Sequence, residues 1–241
     1  MSNNHQKFDF TGPMEEAPWP DKLTARVVTP GANPRIHGYA LETDLAAHYR
    51  FSEICLLMLT GEAPSELQGN ACELALAFAS ACSVAEAPSH GALAAKMTDA
   101  SPSGTLAFSS LILFEQARFI VEQHRTLLVW LDQYPVEQQF PVEFQSNSED
   151  DNASVGRLRE LLAKQGIFPP ILLYAPSRIA AILGVFHWCG VRVVEQIQAI
   201  WVISRLACVA AEGFAAPALD LKTYPMNLPQ FRYIGELKHD E

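Results

Sequence analysis

Apolar residues recur every three to four positions along most of this chain, and the pattern predicts a stack of helices. Leu67, Ala71, Leu74, Phe78 and Ala81/Cys82 make one such stripe, with Ser65 placed to cap it. A second runs from a Ser103 cap through Leu106, Leu111, Phe114, Ala117, Ile120, Leu127 and Leu131 to a stop at Pro135. Ile179, Ile182, Leu183 and Phe186 follow Pro176, a residue suited to the first helical position. Val194, Ile197, Trp201, Cys208 and Ala211 form a last stripe over residues 191–212, with Gly213 expected to end it. Shorter helices are expected from a Ser52 cap to Leu59, stopped by Gly61 and Pro64, after Gly91 with Leu93 and Met97 on one face, and over residues 154–165.

Between these stripes the pattern breaks. Ala25-Arg26-Val27-Val28 reads as a small extended element before a turn at Pro30, Gly31, Asn33 and Pro34. Pro88-Ser89-His90-Gly91 reads as a break, and the acidic stretch 141–154 as a solvated loop without the spacing of a calcium site. Residues 1–22 are polar, with Pro13, Pro18 and Pro20, and are expected to form a flexible arm.

Composition adds constraints. With 49% apolar and 18% charged residues, the chain has enough core for a globular protein. A net charge of −10 argues against nucleic acid, which needs a basic footprint, but not against a small anion held by a few local donors. Cys55, Cys72, Cys82, Cys189 and Cys208 lack metal-ligand or C-x-x-C spacing and read as buried free thiols of a reducing compartment. The arm has no signal-peptide core. The longest uncharged apolar run, Ile179–Val191, is shorter than the ~20 residues of a membrane span. A cytoplasmic protein without membrane association is therefore expected.

Arg35-Ile-His37-Gly38-Tyr39, followed by Leu56-Leu57-Met58-Leu59-Thr60-Gly61-Glu62-Ala63-Pro64, resembles the opening of the citrate synthase and citryl-CoA lyase superfamily. There an R-G-Y element precedes a short helix ending in L-L-x-G-E-x-P. Ser89-His90-Gly91, then Ala94 to Met97 and Ala100-Ser101, is similar to the family's D-H-G and its following helix. The segments 170–183, 203–212 and 228–235 resemble later family helices and the closing R-P-x-x-x-Y-x-G. The resemblance covers residues 24–128 and 170–235 and implies an all-α, citrate synthase-like multi-helical domain. A small N-terminal β element would precede it. Residues 23–140 and 169–241 would form the large domain, and 141–168 a remnant of the small domain that grips CoA in the family.

The implied chemistry is making or breaking a carbon–carbon bond at an acyl-CoA, with a CoA thioester as substrate and no metal or cofactor. It needs a base for the α-proton, a donor for the enol oxygen and a donor for the acceptor carbonyl. His90 matches the enol-stabilising histidine, and a helix N-terminus suits a neutral N–H donor. The second histidine, in a G-P-x-H-G-G-A box, is replaced by Leu113 to Glu122. There Arg118 or His124 offers a donor, although an uninterrupted amphipathic helix accounts for the same residues. No acid stands in the family's base-bearing context. His37 takes the arginine's place in R-G-Y, and Leu228 that of a carboxylate-binding arginine; Arg178 and Arg232 are the remaining candidates for substrate binding, with His37 and Arg118. His48 and His187 are expected at the surface and in the core.

Three readings stay open: a working condensing or cleaving enzyme, a degenerate relative, and an unrelated helical scaffold. The degenerate relative would have impaired or lost catalysis. It would pair as a homodimer, or as a heterodimer with a homologous subunit, and bind an acyl-CoA or small carboxylate.

Overall fold

A computed structural model describes residues 24–133 and 139–218. The 1–22 arm and Arg232 lie outside the described residues. Within them the chain is all-α with a small β element, as the periodicity implied. Three two-residue strands, β1 (Val28–Thr29), β2 (Arg35–Ile36) and β3 (Tyr39–Ala40), form an antiparallel sheet in the order β1-β2-β3. Ile36 pairs with Tyr39 across a two-residue turn in which His37 and Gly38 both have positive φ, 47° and 90°. That is the hairpin geometry whose twist matches the strands.

One wide helical turn, Leu41–Leu45, leads into α1 (Ala46–His48), and then come α2 (Phe51–Thr60) and α3 (Glu66–Ala79). The cap of α2 is Arg50, whose N–H is held by the Glu53 carboxylate at 2.7 Å. Ser52, expected to be the cap, lies inside the first turn, buried, its hydroxyl without a partner. Gly61 at φ 78° ends α2 with its N–H on the Leu57 carbonyl, a left-handed stop that a side chain would strain. Ser65 caps α3 as expected, and Gln68 reaches back to the Ser65 N–H at 2.9 Å.

Further elements correct the pattern reading. α4 (Ala87–Met97) starts before the expected break: Pro88 sits in its first turn, where a missing N–H costs nothing. α5 (Pro102–Gln123) is capped by Ser101 rather than Ser103, and the long stripe is divided at His124, after which α6 (Arg125–Gln133) begins. α7 (Glu149–Ala163) opens inside the acidic stretch, because Glu149, Asp150 and Asp151 suit the positive end of a helix. α8 (Arg178–Trp188) is capped by Ser177, leaving Pro176 outside.

α9 (Val194–Ala215) continues through Gly213 instead of ending there. A Cβ at Gly213 would stand 3.0 Å from Ala92 Cβ and 3.1 Å from Thr105 Cγ2, so the glycine lets α4, α5 and α9 close on one another. Gly91 does the same for α4, where a Cβ would meet Ile112 and Phe108 of α5.

These three helices, with α3 and α8, enclose one core that includes Ala75, Leu113, Ala117, Phe186, Ile200 and Trp201. Residues 141–168 add Phe144, Val155, Leu158, Leu162 and Ile167 to that same core. α5 and α9 are each long and apolar enough to cross a membrane by length and composition, a feature missed when only uninterrupted runs are counted. Both also supply buried faces to the core, and α9 carries an ion-paired arginine.

Candidate functional site

The resemblance directs attention to the start of α4. Glu86, its cap residue, turns one carboxylate oxygen toward the Ser83 N–H at 3.2 Å. The other oxygen receives the Gln116 carboxamide of α5 at 3.0 Å and the guanidinium of Arg205 from α9. Arg205 also donates to the Ala79 carbonyl at 3.0 Å, and its guanidinium carbon lies 4.8 Å from the Trp201 ring centroid. The Arg205 side chain is 11% exposed and that of Glu86 34%. A charge so far from water requires a partner, and here the pair fastens the end of α3 to α4, α5 and α9. The arginine of the 203–212 segment thus holds helices together.

His90 lies one turn after Glu86, half-buried, its N–H on the Glu86 carbonyl at 3.0 Å. Among the described residues its ring has no hydrogen-bond partner. The preceding Ser89 is buried and donates to the Cys82 carbonyl at 2.7 Å, which fixes the turn but not the imidazole. The acid nearest in sequence, Glu86, is engaged by Arg205 and Gln116.

The other candidates sit on separate elements with separate partners. His37 occupies the β2–β3 turn, its Nε2 3.4 Å from the Met58 carbonyl at the end of α2. Arg118 lies on the outer face of α5, paired with Glu115 at 2.6 Å, both well exposed. Arg178 donates to the Phe78 carbonyl at 2.8 Å, and its backbone N–H meets Asp151 at 3.1 Å. His124 stacks on Phe144 with centroids 5.2 Å apart, and burial pushes its pKa below the ordinary value although the Ile120 carbonyl is 2.8 Å from Nδ1. The segment 113–122 is helical throughout, with Leu113, Ala117 and Val121 turned into the core.

One pair escaped the sequence reading. His187, buried near the end of α8, meets Asp132 of α6 at 2.8 Å through Nε2. The two are 55 residues apart, and no local motif joins them. Burial raises the thiols of Cys55, Cys72 and Cys82, and Cys72 is pushed up to about 12, chiefly by desolvation and secondarily by Cys55. Among the described residues no three His, Cys, Asp or Glu side chains gather as metal ligands would.

Two recesses flank the Thr60–Pro64 segment, one of about 370 Å³ and one of about 590 Å³. None of His37, His90, Arg118 or Arg178 lines either.

No protein-family model matches the sequence, and no curated protein does. Solved structures do. Citryl-CoA lyase from Hydrogenobacter thermophilus aligns with a TM-score of 0.56 at 15% identity, over 88% of this chain and 97% of that one. Methanosaeta concilii ATP citrate lyase, a D541A mutant in complex with (3S)-citryl-CoA, aligns with a TM-score of 0.55 at 11% identity, over 90% of this chain and 43% of that one. Identities this low speak to architecture and leave individual residues unassigned. The chain shares its fold with these two enzymes, the multi-helical architecture that its opening motif implied.

Proposed function

We propose that this protein is a citrate synthase-like subunit in which condensation or cleavage at an acyl-CoA is impaired or lost. The observation that carries the reading is the unbroken course of α5 through residues 113–122. A glycine-rich histidine box would let backbone approach a substrate at this point. Instead an amphipathic helix sends apolar side chains inward and the Glu115–Arg118 pair outward. The sequence offers neither the histidine box nor the base-bearing motif that would complete His90 in the family pattern.

What remains is a scaffold suited to pairing. Along α5, Phe108, Leu111, Phe114 and Phe119 are 49–64% exposed, and α9 adds Ile203, Leu206 and Phe214. Apolar rows of this extent mark contact surfaces on soluble proteins. The proposed partner is a second copy or an active homologue, in the cytoplasm, and residues 141–168 are read as a remnant of the family's CoA-gripping domain. A CoA thioester, the kind of ligand named for the ATP citrate lyase neighbour, is the ligand class proposed. Sedimentation velocity at micromolar concentration is expected to show a dimer, alone or on mixing with the homologue. A monomer under both conditions contradicts the subunit reading.

A further inference from the structure

The recess of about 370 Å³ lies where the end of α2 and the start of α3 meet the α8–α9 connection, away from His90, and its size falls in the range of small-molecule sites. Leu56 and Cys189, both nearly inaccessible, and Pro64 give it apolar walls. Among its neutral polar side chains Gln68 accepts from Ser65 at Oε1 while its Nε2 has no partner among the described residues, and Thr60 and Gln196 are committed elsewhere. Thr60 Oγ1 donates to the Leu56 carbonyl at 2.8 Å, and Gln196 Nε2 to the Leu59 carbonyl at 2.7 Å. Two ionic side chains line the recess, Glu62 and Arg192, and among the described residues neither side chain has a hydrogen bond or an ion pair. Arg192 immediately precedes Val193, the cap of α9, where the free N–H groups of the first turn favour a negative group and Glu195 in the same turn offsets part of that, so Arg192 supplies the main attraction on this side.

A walled recess with one unpaired cation, one unpaired anion and apolar sides selects by charge pattern. A dianion or a CoA phosphate would set excess negative charge against Glu62 in a protein already at −10. An uncharged apolar molecule would strip water from both ions without replacing it. We infer that the recess binds a small zwitterion, an α-amino acid with a short apolar side chain. Its carboxylate meets Arg192 and the start of α9, its ammonium meets Glu62, and its side chain rests on Pro64 and Val193.

Calorimetric titration of the full chain with L-valine tests this, with 3-methylbutanoate (no ammonium) and 2-methylpropylamine (no carboxylate) as controls. Saturable binding of valine is expected, with each control at least tenfold weaker. Arg192→Gln and Glu62→Gln are each expected to weaken valine at least tenfold, since a charge-assisted contact is lost. Both residues are exposed and unpaired, so circular dichroism should be unchanged in the variants. No saturable heat with valine at millimolar concentration overturns the inference. So does valine binding that is indifferent to both substitutions, or 3-methylbutanoate binding as tightly as valine.

Discussion

Arg205→Ala tests whether the arginine of α9 is a structural clamp. In the folded chain it meets Glu86, Gln116 and the Ala79 carbonyl with only 11% of its side chain exposed. Breaking a fully buried ion pair by removing one partner costs about 3–5 kcal/mol. Glu86 keeps 34% exposure, the Ser83 N–H and Gln116, so the ionic part falls below that range, to about 1–2 kcal/mol. The unpaired Ala79 carbonyl and the lost packing over Trp201 add to it, giving about 3 kcal/mol in total. For a chain of this size that is a fall in Tm of roughly 6–12 °C. Urea unfolding followed by circular dichroism measures it. Glu86→Gln, which leaves a carboxamide beside Arg205, should cost less, about 1 kcal/mol. The double variant should fall short of the sum of the single ones by about 1–2 kcal/mol, because the two groups share one interaction. A loss below about 1 kcal/mol for Arg205→Ala, or additivity within ~0.3 kcal/mol, refutes the clamp and leaves Arg205 free for a ligand.

Two further outcomes follow from burial. His124 has a folded pKa below its ordinary value, chiefly through desolvation. The unfolded chain therefore takes up its proton first, near pH ~6.5. Stability from this group is complete above that pH and is lost as pH falls through it toward the folded value. Urea midpoints at pH 7.5 and 5.5 should differ less in His124→Gln than in the parent chain; equal differences contradict the assignment. Cys72, pushed up to about 12, is almost wholly protonated at pH 8. Since the thiolate is the nucleophile, a disulfide reagent followed by peptide mass analysis should leave Cys72 unmodified in the folded chain. All five cysteines should be labelled in denaturant, and native labelling of Cys72 within minutes would count against its burial.

Much of the fold is legible in local pattern. The Ser65 cap, the Gly61 stop and the stripes of α3, α8 and α9 depend on neighbours three or four residues away, which a single segment displays. The failures occur where distant packing decides. Gly213 resembles a helix stop, but Ala92 and Thr105, more than a hundred residues earlier, require a glycine there while α9 continues. Ser52 is a local exception: the Arg50 N–H and the Glu53 carboxylate close the first turn one position earlier, and the Ser52 hydroxyl is left buried without a partner. His124 ends α5 and its ring packs on Phe144, twenty residues further on, a contact that the stripe itself does not display. At the candidate site, His90 was visible in its motif. The commitment of Glu86 to Arg205 and the pairing of His187 with Asp132 arise only when separate helices meet.

Loss of chemistry is the claim on which the account turns, and thiol release tests it most directly. The purified chain is incubated with acetyl-CoA and oxaloacetate, and separately with citryl-CoA, while free CoA and the products of cleavage are followed. Since the family motifs for a base and a second donor are unmatched in the sequence, and acid–base groups are each worth ~10²–10⁴ in rate, turnover is expected below one-thousandth of a common enzymatic value near ~10 s⁻¹. Turnover near that common value, abolished by His90→Ala, would contradict the account and restore a working active site around His90.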